Sequence, residues 1–328
     1  SAAPVWHSSV GAAALPNGEE LSAKPLEALA QLQSAWTSSP LDGLPPLTSG
    51  LVGLIGWDMI RQLENLPNAP KADFAAPVMA FAMFQDLVIL DHLSSTLLLV
   101  SNIFVTDGVD LKASYDDALA NIAELRSGIL KPHVGKLAEL DLDVELNAKH
   151  RVSKSDFIEA IESSKHFVRI GDVFQVVLSQ RFDLEVAASP LEVYRVLRAL
   201  NPSPYMYYVK QPDLTIVGGS PEPMVQVING RVISRPIAGT RKRGTTDEHD
   251  RRMAAELREN PKEVAEHIML VDLARNDVGR VADYGTVTMD ELMTLERYSH
   301  VMHLTSQVSG DLREGLSPID VLRATFPA

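Results

Sequence analysis

An Asn-Gly step at residues 229–230 is the feature that most constrains the fold of this chain. It separates two short runs rich in Val and Ile, 224–228 and 231–237, and Asn-Gly between such runs is the strongest short-range signal of a tight β-hairpin. Further strand-like runs at 214–218 and 286–308 lie nearby, with helices interspersed rather than strictly alternating. This arrangement favours an α+β fold with antiparallel sheets over a doubly wound parallel sheet.

The starts of two helices are marked by capping residues. Ser189 and Asn260 are each followed by Pro and, three positions later, by Glu, which is the pattern of a capping box with Pro in the first turn. We also predict a helix that ends at Gly171 and a strand over residues 172–182, DVFQVVLSQRF.

Length and composition exclude several classes of protein. The 328 residues suffice for two domains, and we place the linker in the polar stretch 131–151, between an N-terminal domain, 1–150, and a second domain, 151–328.

The 30 Lys and Arg against 43 Asp and Glu give a net charge of −13, which argues against nucleic acid and anionic membrane surfaces as partners. There is no cysteine, which excludes disulfides, thiol nucleophiles and cysteine-bound metals. Since no apolar run is long enough to span a membrane, we expect a soluble, cytoplasmic protein.

The densest group of candidate functional residues follows Asn260. Glu263 and Glu266 are three residues apart, so both carboxylates lie on one face of the predicted helix. Carboxylate oxygens are the ligands that a divalent cation such as Mg²⁺ prefers. Two structural alternatives stay open: Glu263 closes the capping box, and Glu266 pairs with Lys262 on the surface.

Three further positions are candidates for chemistry. Glu222 stands between two prolines in GGSPEPM. If it is buried there, its pKa is raised and it is suited to act as a general acid. The alternative is an ordinary turn residue. His303 lies on a strand-like run and is either structural or catalytic. Gly239 and Thr240 offer an N–H and a hydroxyl to a ligand carboxylate, or form a plain hairpin end. We interpret the charged residues 241–252 that follow them as a loop.

Taken together and in this order, the segments resemble those of chorismate-utilising enzymes, and most strongly those of anthranilate synthase component I. The matching segments are SGLVGLIGWDMIRQLENLP, DVFQVVLSQRF, NPSPYMYYV, GGSPEP, RPIAGTRKRG, KEVAEHIMLVDLARNDVGRV and SHVMHLTSQV. The resemblance covers almost the whole chain and implies an α+β fold in which two antiparallel β-sheets pack centrally with helices outside. Compared with that family the chain looks incomplete at both ends, in particular at the C-terminus, and we expect this fragment alone to be inactive.

The resemblance also implies a reaction and roles for individual residues. Chorismate and ammonia would be converted to anthranilate and pyruvate. Glu222 would protonate the departing 4-hydroxyl as ammonia adds at C2, and His303 would act near the reacting ring as a base or an electrostatic partner. Gly239 and Thr240 would hold the substrate. The metal would be Mg²⁺ on the two helix glutamates described above, and the ammonia would come from a glutamine amidotransferase subunit, component II.

Two positions discriminate among the relatives that the resemblance includes. Ala238 stands where aminodeoxychorismate synthases often carry a nucleophilic Lys. Gln175, which would lie beside the substrate, stands where isochorismate and salicylate synthases carry the Lys that deprotonates water, and an amide cannot act as that base. Both favour anthranilate synthase, and Pro204 and Met206 match positions that contact the feedback inhibitor tryptophan. The alternatives are those sister enzymes and, from another class, a non-catalytic amino-acid-binding relative.

Overall fold

The computed structural model describes residues 3–8, 13–39, 41–132, 135 and 147–326. Most of the predicted linker lies outside these described residues. The helices are α1 (Pro25–Ala35), α2 (Leu111–Leu130), α3 (Lys154–Ile170), α4 (Pro190–Leu200), α5 (Asp247–Glu259), α6 (Pro261–Val281) and α7 (Pro318–Thr325), with a 3₁₀ helix at Trp57–Gln62. The strands are β1 (Leu51–Ile55), β2 (Met79–Met83), β3 (Asp86–Asp91), β4 (Thr96–Ser101), β5 (Lys149–His150), β6 (Phe182–Asp183), β7 (Tyr205–Lys210), β8 (Thr215–Ser220), β9 (Gln226–Ile228), β10 (Arg231–Ser234), β11 (Ile237–Lys242), β12 (Thr288–Arg297) and β13 (Val301–Asp311).

Every strand pair in the described part of the chain is antiparallel. The largest sheet is built around β13, which pairs with β12 along one edge and with β11 and then β10 along the other. β9 extends this sheet beyond β10. The other ladders are β1–β2, β3–β4, β5–β6 and β7–β8. The predicted α+β fold with antiparallel sheets is therefore confirmed.

The Asn-Gly step forms the predicted hairpin between β9 and β10. Asn229 has a φ of 51° and Gly230 a φ of 75°, as the central residues of a type I′ turn require. The predicted strand 231–237 is interrupted after Ser234, because Pro236 has no N–H to donate to a ladder. The chain resumes as β11. The charged run 241–252 that we interpreted as a loop is strand up to Lys242 and helix α5 from Asp247 onward, so that interpretation is wrong for most of its length.

The predicted capping box forms at Ser189, whereas at Asn260 only the cap by the Asn side chain forms. The side chain of Asn260 accepts hydrogen bonds from the backbone N–H groups of Lys262 and Glu263. The backbone N–H of Ser189 donates to the Glu192 carboxylate at 2.7 Å, and its hydroxyl accepts from the Glu192 N–H at 3.4 Å. The helix that begins after Asn260 runs to Val281.

The core that supports the site lies between β13 and the helices packed against it. Met302 and Leu304 of β13 are fully buried and pack against Ala254 and Leu257 of α5. A second cluster joins the sheet to α6 and α7; its buried members are Val232, Ala274, Val278, Val281, Ala282, Val308 and Val321. The apolar residues of β13 thus fix its position, and with it the position of His303.

The predicted strand over 172–182 is wrong for most of its length. Only its end, in β6, pairs with a strand, β5, among the described residues. A strand needs a neighbour to satisfy its backbone hydrogen-bonding groups, and residues 172–181 have no such ladder in the structure as described. Phe174 and Val177 on this stretch are 90% and 85% exposed.

The chain divides into two compact units. One contains residues 1–133 and 197–328, and the other contains residues 134–196. The predicted domain boundary near residue 150 stays a prediction. Among the described helices, none combines the length and the apolar character needed to cross a membrane.

Candidate functional site

The candidate site is built around a bulge in β11. The register of β11 on β13 shifts between Ala238 and Thr240, and Gly239 between them has a φ of 74°. A Cβ at Gly239 would lie 3.0 Å from Cδ1 of Leu257 and 3.3 Å from Oε2 of Glu263. Glycine is required here both by the left-handed backbone and by the close approach of α5 and α6.

His303 is held against this bulge. Its Nδ1 lies 3.0 Å from the hydroxyl of Thr240 and 3.1 Å from the carbonyl oxygen of Gly239. Because a carbonyl oxygen only accepts, this contact requires a proton on Nδ1, and Nε2 is then the basic nitrogen of the neutral ring. In the sheet His303 is paired with Thr240 on one side and with Glu296 on the other, so the three side chains project from one face.

Glu222 reaches the same sheet from the turn after β8. Its backbone N–H donates to the hydroxyl of Ser220 at 3.2 Å, and that hydroxyl donates to the Glu222 carbonyl at 2.9 Å, which fixes the turn. The Glu222 carboxylate accepts a hydrogen bond from the backbone N–H of Ile237 at 3.1 Å. Burial outweighs this contact and raises the pKa of the carboxyl to about 7. A carboxyl with this pKa is suited to transfer a proton near neutral pH.

Tyr298 packs beside His303. Its ring meets the imidazole of His303 edge to face, with ring centroids 5.6 Å apart. Burial raises the pKa of Tyr298 to about 12, and the hydrogen bond to Glu296 and the negative charge of Glu222 contribute in the same direction. Glu222 and His303 therefore both contact β11, Glu222 at Ile237 and His303 at Gly239 and Thr240.

Both helix glutamates are paired with cations, and Glu263 also lies next to the bulge. Glu263 is 13% exposed and binds Nη1 of Arg241 at 3.2 Å, while Glu266 binds Lys262 at 3.1 Å. The capping-box alternative for Glu263 is not observed, because the Asn260 N–H donates to α5 instead. The surface-pair alternative for Glu266 is observed.

These carboxylates fit the donor preference of Mg²⁺. That ion is commonly held by one or two carboxylates and completes its octahedral shell with water and substrate oxygens. Within the described ranges no group of three or more His, Cys, Asp or Glu side chains is close enough to hold a metal. Arg241 and Lys262 offset the charge of Glu263 and Glu266.

Three predicted site residues remain to be described: Gln175, Pro204 and Met206. Gln175 belongs to the unit 134–196 and is exposed on the stretch without regular structure, so its proximity to the substrate stays a prediction. Pro204 is exposed just before β7, and Met206 is paired with Gly219 on β8. That ladder leads directly into the turn of Glu222, and the tryptophan-binding role of these two residues stays a prediction.

Sequence reasoning missed three residues of the site. Arg241, which immediately follows the Gly-Thr step, was assigned to a loop, and in the structure its side chain lies between Glu256 and Glu263. Tyr298 and Glu296 were not singled out. The alternation of the strand run offered a signal for Glu296, but the close placement of Tyr298 arises from the hairpin between β12 and β13.

Comparison with known proteins identifies the family. The model of the chorismate binding enzyme family matches residues 6–328. The chain belongs to this family. Anthranilate synthase component 1 of Acetivibrio thermocellus is 41% identical over 314 residues, and the protein of that name from Mycolicibacterium smegmatis is 41% identical over 321 residues. The matches cover 94% and 95% of this chain but 63% and 61% of those relatives.

Solved structures agree with this assignment. Anthranilate synthase component I from Streptococcus pneumoniae superposes with a TM-score of 0.83 at 33% identity, over 95% of this chain and 67% of that one. The menaquinone-specific isochorismate synthase of Escherichia coli, at 19% identity and a TM-score of 0.55 over 70% of this chain, shares the fold. The chorismate-binding family member described here thus spans about three-fifths of the length of the curated relatives above.

Proposed function

We propose that this chain carries part of the active site of an anthranilate synthase component I, which converts chorismate and ammonia to anthranilate and pyruvate. The observation that carries this proposal is that Glu222 contacts the first residue of β11, Ile237, and that His303 contacts the Gly-Thr bulge of the same strand. Such a pair supplies an acid and a base in one place, as an amination followed by an elimination requires. The family relationship and the relatives named above support the same reaction.

Glu222 is the proposed general acid. Ammonia forms a bond to C2 of chorismate as the C4–O bond breaks, and the carboxyl donates its proton so that the hydroxyl departs as water. The pKa of about 7 keeps a substantial fraction of this carboxyl protonated at neutral pH. The Ile237 N–H holds one oxygen and leaves the other to meet the leaving group.

His303 is the proposed base of the second step. Its Nδ1 proton is committed to Gly239, so Nε2 is the nitrogen that accepts a proton. Removal of the C2 proton and cleavage of the C3–O bond release the enolpyruvyl group, which becomes pyruvate on protonation, and the ring becomes aromatic. The exposed hydroxyl of Thr240 would bind a substrate carboxylate, as would the backbone at Gly239.

Glu263 and Glu266 are the proposed holders of Mg²⁺. When bound, the ion supplies positive charge that anchors a substrate carboxylate. It also accounts for the binding of a doubly charged anion by a chain whose net charge is −13. Arg241, which bridges Glu256 and Glu263, keeps the Glu263 carboxylate beside the bulge.

The remaining proposals concern which enzyme of the family this chain is and which molecules it binds. The residue before the bulge is Ala238, which is buried and provides no amine for covalent attack on the substrate. This supports anthranilate synthase over aminodeoxychorismate synthase. We also propose that a glutamine amidotransferase subunit, component II, delivers the ammonia, and that tryptophan binds at Pro204 and Met206.

Fluorescence of anthranilate tests the proposal. The protein, expressed from its whole coding sequence, is incubated with chorismate, Mg²⁺ and ammonium, and the products are separated by chromatography. We expect anthranilate and pyruvate in equal amounts, and no anthranilate from the Glu222→Gln variant. Formation of aminodeoxychorismate or isochorismate instead would transfer the assignment to a sister enzyme, and no turnover of chorismate would refute it.

A further inference from the structure

Tyr298 is fixed at three points in the short connection between β12 and β13. Its backbone N–H donates to the carbonyl of Val301 at 2.8 Å, and its own carbonyl accepts from Nη1 of Arg243 at 2.7 Å. Its phenol donates to Oε2 of Glu296, also at 2.7 Å. The phenol ring therefore has one defined orientation, with its edge-to-face contact on His303.

Glu296 is in turn held by Arg235. Its Oε1 accepts from Nη2 of Arg235, and the same guanidinium lies 3.8 Å from the carboxylate of Glu291. One oxygen of Glu296 is thus bound to Arg235 and the other to Tyr298. Although Glu296 is paired with His303 across the ladder, its carboxylate is occupied by these two partners.

The imidazole of His303 has polar contacts at Nδ1 and an aromatic contact on its ring. Thr240 and Gly239 contact Nδ1, and the Tyr298 ring packs against the imidazole. Among the described residues, Tyr298 is not a member of the buried apolar clusters of the sheet. The hydroxyl serves to hold the ring in place.

We propose that Tyr298 is a positioning residue for His303, with Glu296 as its anchor. The inference rests on the proposed function for its kinetic readout. The Tyr298 ring keeps the imidazole turned so that Nδ1 stays on the Gly239 carbonyl and Nε2 is presented to the substrate. Tyr298 itself does not touch the reacting atoms.

The kinetic test compares Tyr298→Phe, which keeps the ring and removes its tether, with Tyr284→Phe as a control, because Tyr284 is fully exposed. We expect Tyr298→Phe to lower kcat about tenfold while KM for chorismate changes less than about twofold, since loosened positioning weakens the transition state rather than binding. Glu296→Ala should behave in the same way. Glu296→Gln, which retains hydrogen-bonding groups for both partners, should recover most of kcat.

A double-mutant cycle separates positioning from general destabilisation. If Tyr298 acts through His303, then Tyr298→Phe should have no further effect on kcat in a His303→Ala background. An equal fold-loss in both backgrounds, or an unchanged kcat in the single variant, would overturn the inference. Melting temperatures of all variants are measured to establish that each is folded.

An activity-free measurement distinguishes this inference from the proposed function. Imidazole ¹⁵N resonances of His303 are identified by their absence from the His303→Ala variant. We expect the unsubstituted protein to hold its proton on Nδ1 and Tyr298→Phe to show exchange between the two tautomers. Identical spectra would refute the positioning role even if anthranilate is formed, and the expected change would support it even if chorismate is not the substrate.

Discussion

The backbone N–H of Ile237 donates to the Glu222 carboxylate across 3.1 Å. This contact alone would lower the pKa of Glu222, yet burial dominates and raises it to about 7. The hydrogen bond determines where the carboxyl points, while burial determines when it is protonated. Orientation and proton affinity at this position are therefore set by different parts of the molecule.

The raised pKa predicts how Glu222→Gln alters stability with pH. Its ordinary value is 4.5 and the folded value is about 7, so the folded protein binds the proton more tightly than the unfolded chain. The stability that this carboxyl contributes is therefore lost as the pH rises toward and through 7. The parent should therefore lose on the order of 2 kcal/mol of unfolding free energy from about pH 5 to about pH 8, and Glu222→Gln should not lose it.

Urea unfolding at several pH values measures this difference. Glu314→Gln, at an exposed glutamate, reports the effect of removing a surface charge. A constant difference between Glu222→Gln and the parent across the range would show that Glu222 is not buried in the folded protein.

Gly239→Ala should damage both stability and activity. The new Cβ meets Leu257 at 3.0 Å and Glu263 at 3.3 Å on a backbone with a φ of 74°. We expect a loss of about 2–4 kcal/mol from strain and overpacking together, measured by thermal or urea unfolding.

Gly230→Ala is the matched control for this change. Gly230 has a φ of 75° but no neighbour within 4 Å of the added Cβ, so this variant should lose only about 1 kcal/mol, from backbone strain. Equal losses at the two positions would contradict the close approach of α5 and α6 to the bulge.

Ser306→Ala should destabilise the fold through two buried groups. Its hydroxyl lies 2.7 Å from Nε2 of His267 and accepts from the backbone N–H of Met293 at 2.9 Å. His267 and Ser306 are fully buried, and Met293 occupies a left-handed position, φ 53°, within a bulge of β12. Because both partners lose their contact, we expect a cost of about 2–3 kcal/mol.

Ser299→Ala, at an exposed serine, should change the unfolding free energy by less than about 0.5 kcal/mol. A similarly small effect of Ser306→Ala would mean that water replaces the hydroxyl inside the sheet. That result would contradict a structural role for the Ser306 contacts with His267 and Met293.

Glu263→Gln and Glu266→Gln should weaken the binding of Mg²⁺. Each removes one of the two carboxylates and half of the negative charge offered to the ion. We expect each to raise the Mg²⁺ dissociation constant at least about tenfold, measured by calorimetry and by the Mg²⁺ dependence of anthranilate formation.

Glu256→Gln is the control for the Mg²⁺ experiment. Glu256 contacts Arg241 at 3.1 Å, as Glu263 does at 3.2 Å, but it lies on α5 and is not a proposed ligand. If Glu256→Gln weakens Mg²⁺ as much as Glu263→Gln does, the effect would come through Arg241, and direct ligation by Glu263 would be refuted.

Local signals in the sequence predicted local structure well. The Asn229-Gly230 turn and the Asn260 cap depend on backbone geometry and on hydrogen bonds within a few residues, so their residue types suffice. The strand expected at 172–182 failed because a strand also depends on a distant partner, which alternation cannot reveal.

The site was predictable residue by residue but not as an arrangement. Glu222, His303 and Thr240 were singled out by type and by resemblance, yet their convergence depends on the register of β11 on β13 and on the bulge at Gly239. The contact of Tyr298 with His303 depends on the short connection after β12. Register and connection geometry arise from the packing of the whole sheet, which is why these contacts were not foreseen.

The strand that presents His303 also buries Met302 and Leu304. A ligand that binds the imidazole therefore contacts a strand whose neighbouring side chains are fully buried. Since any ligand that binds only the folded form raises the melting temperature, a dye-based melting screen with candidate substrates and inhibitors would report binding at this site without any turnover.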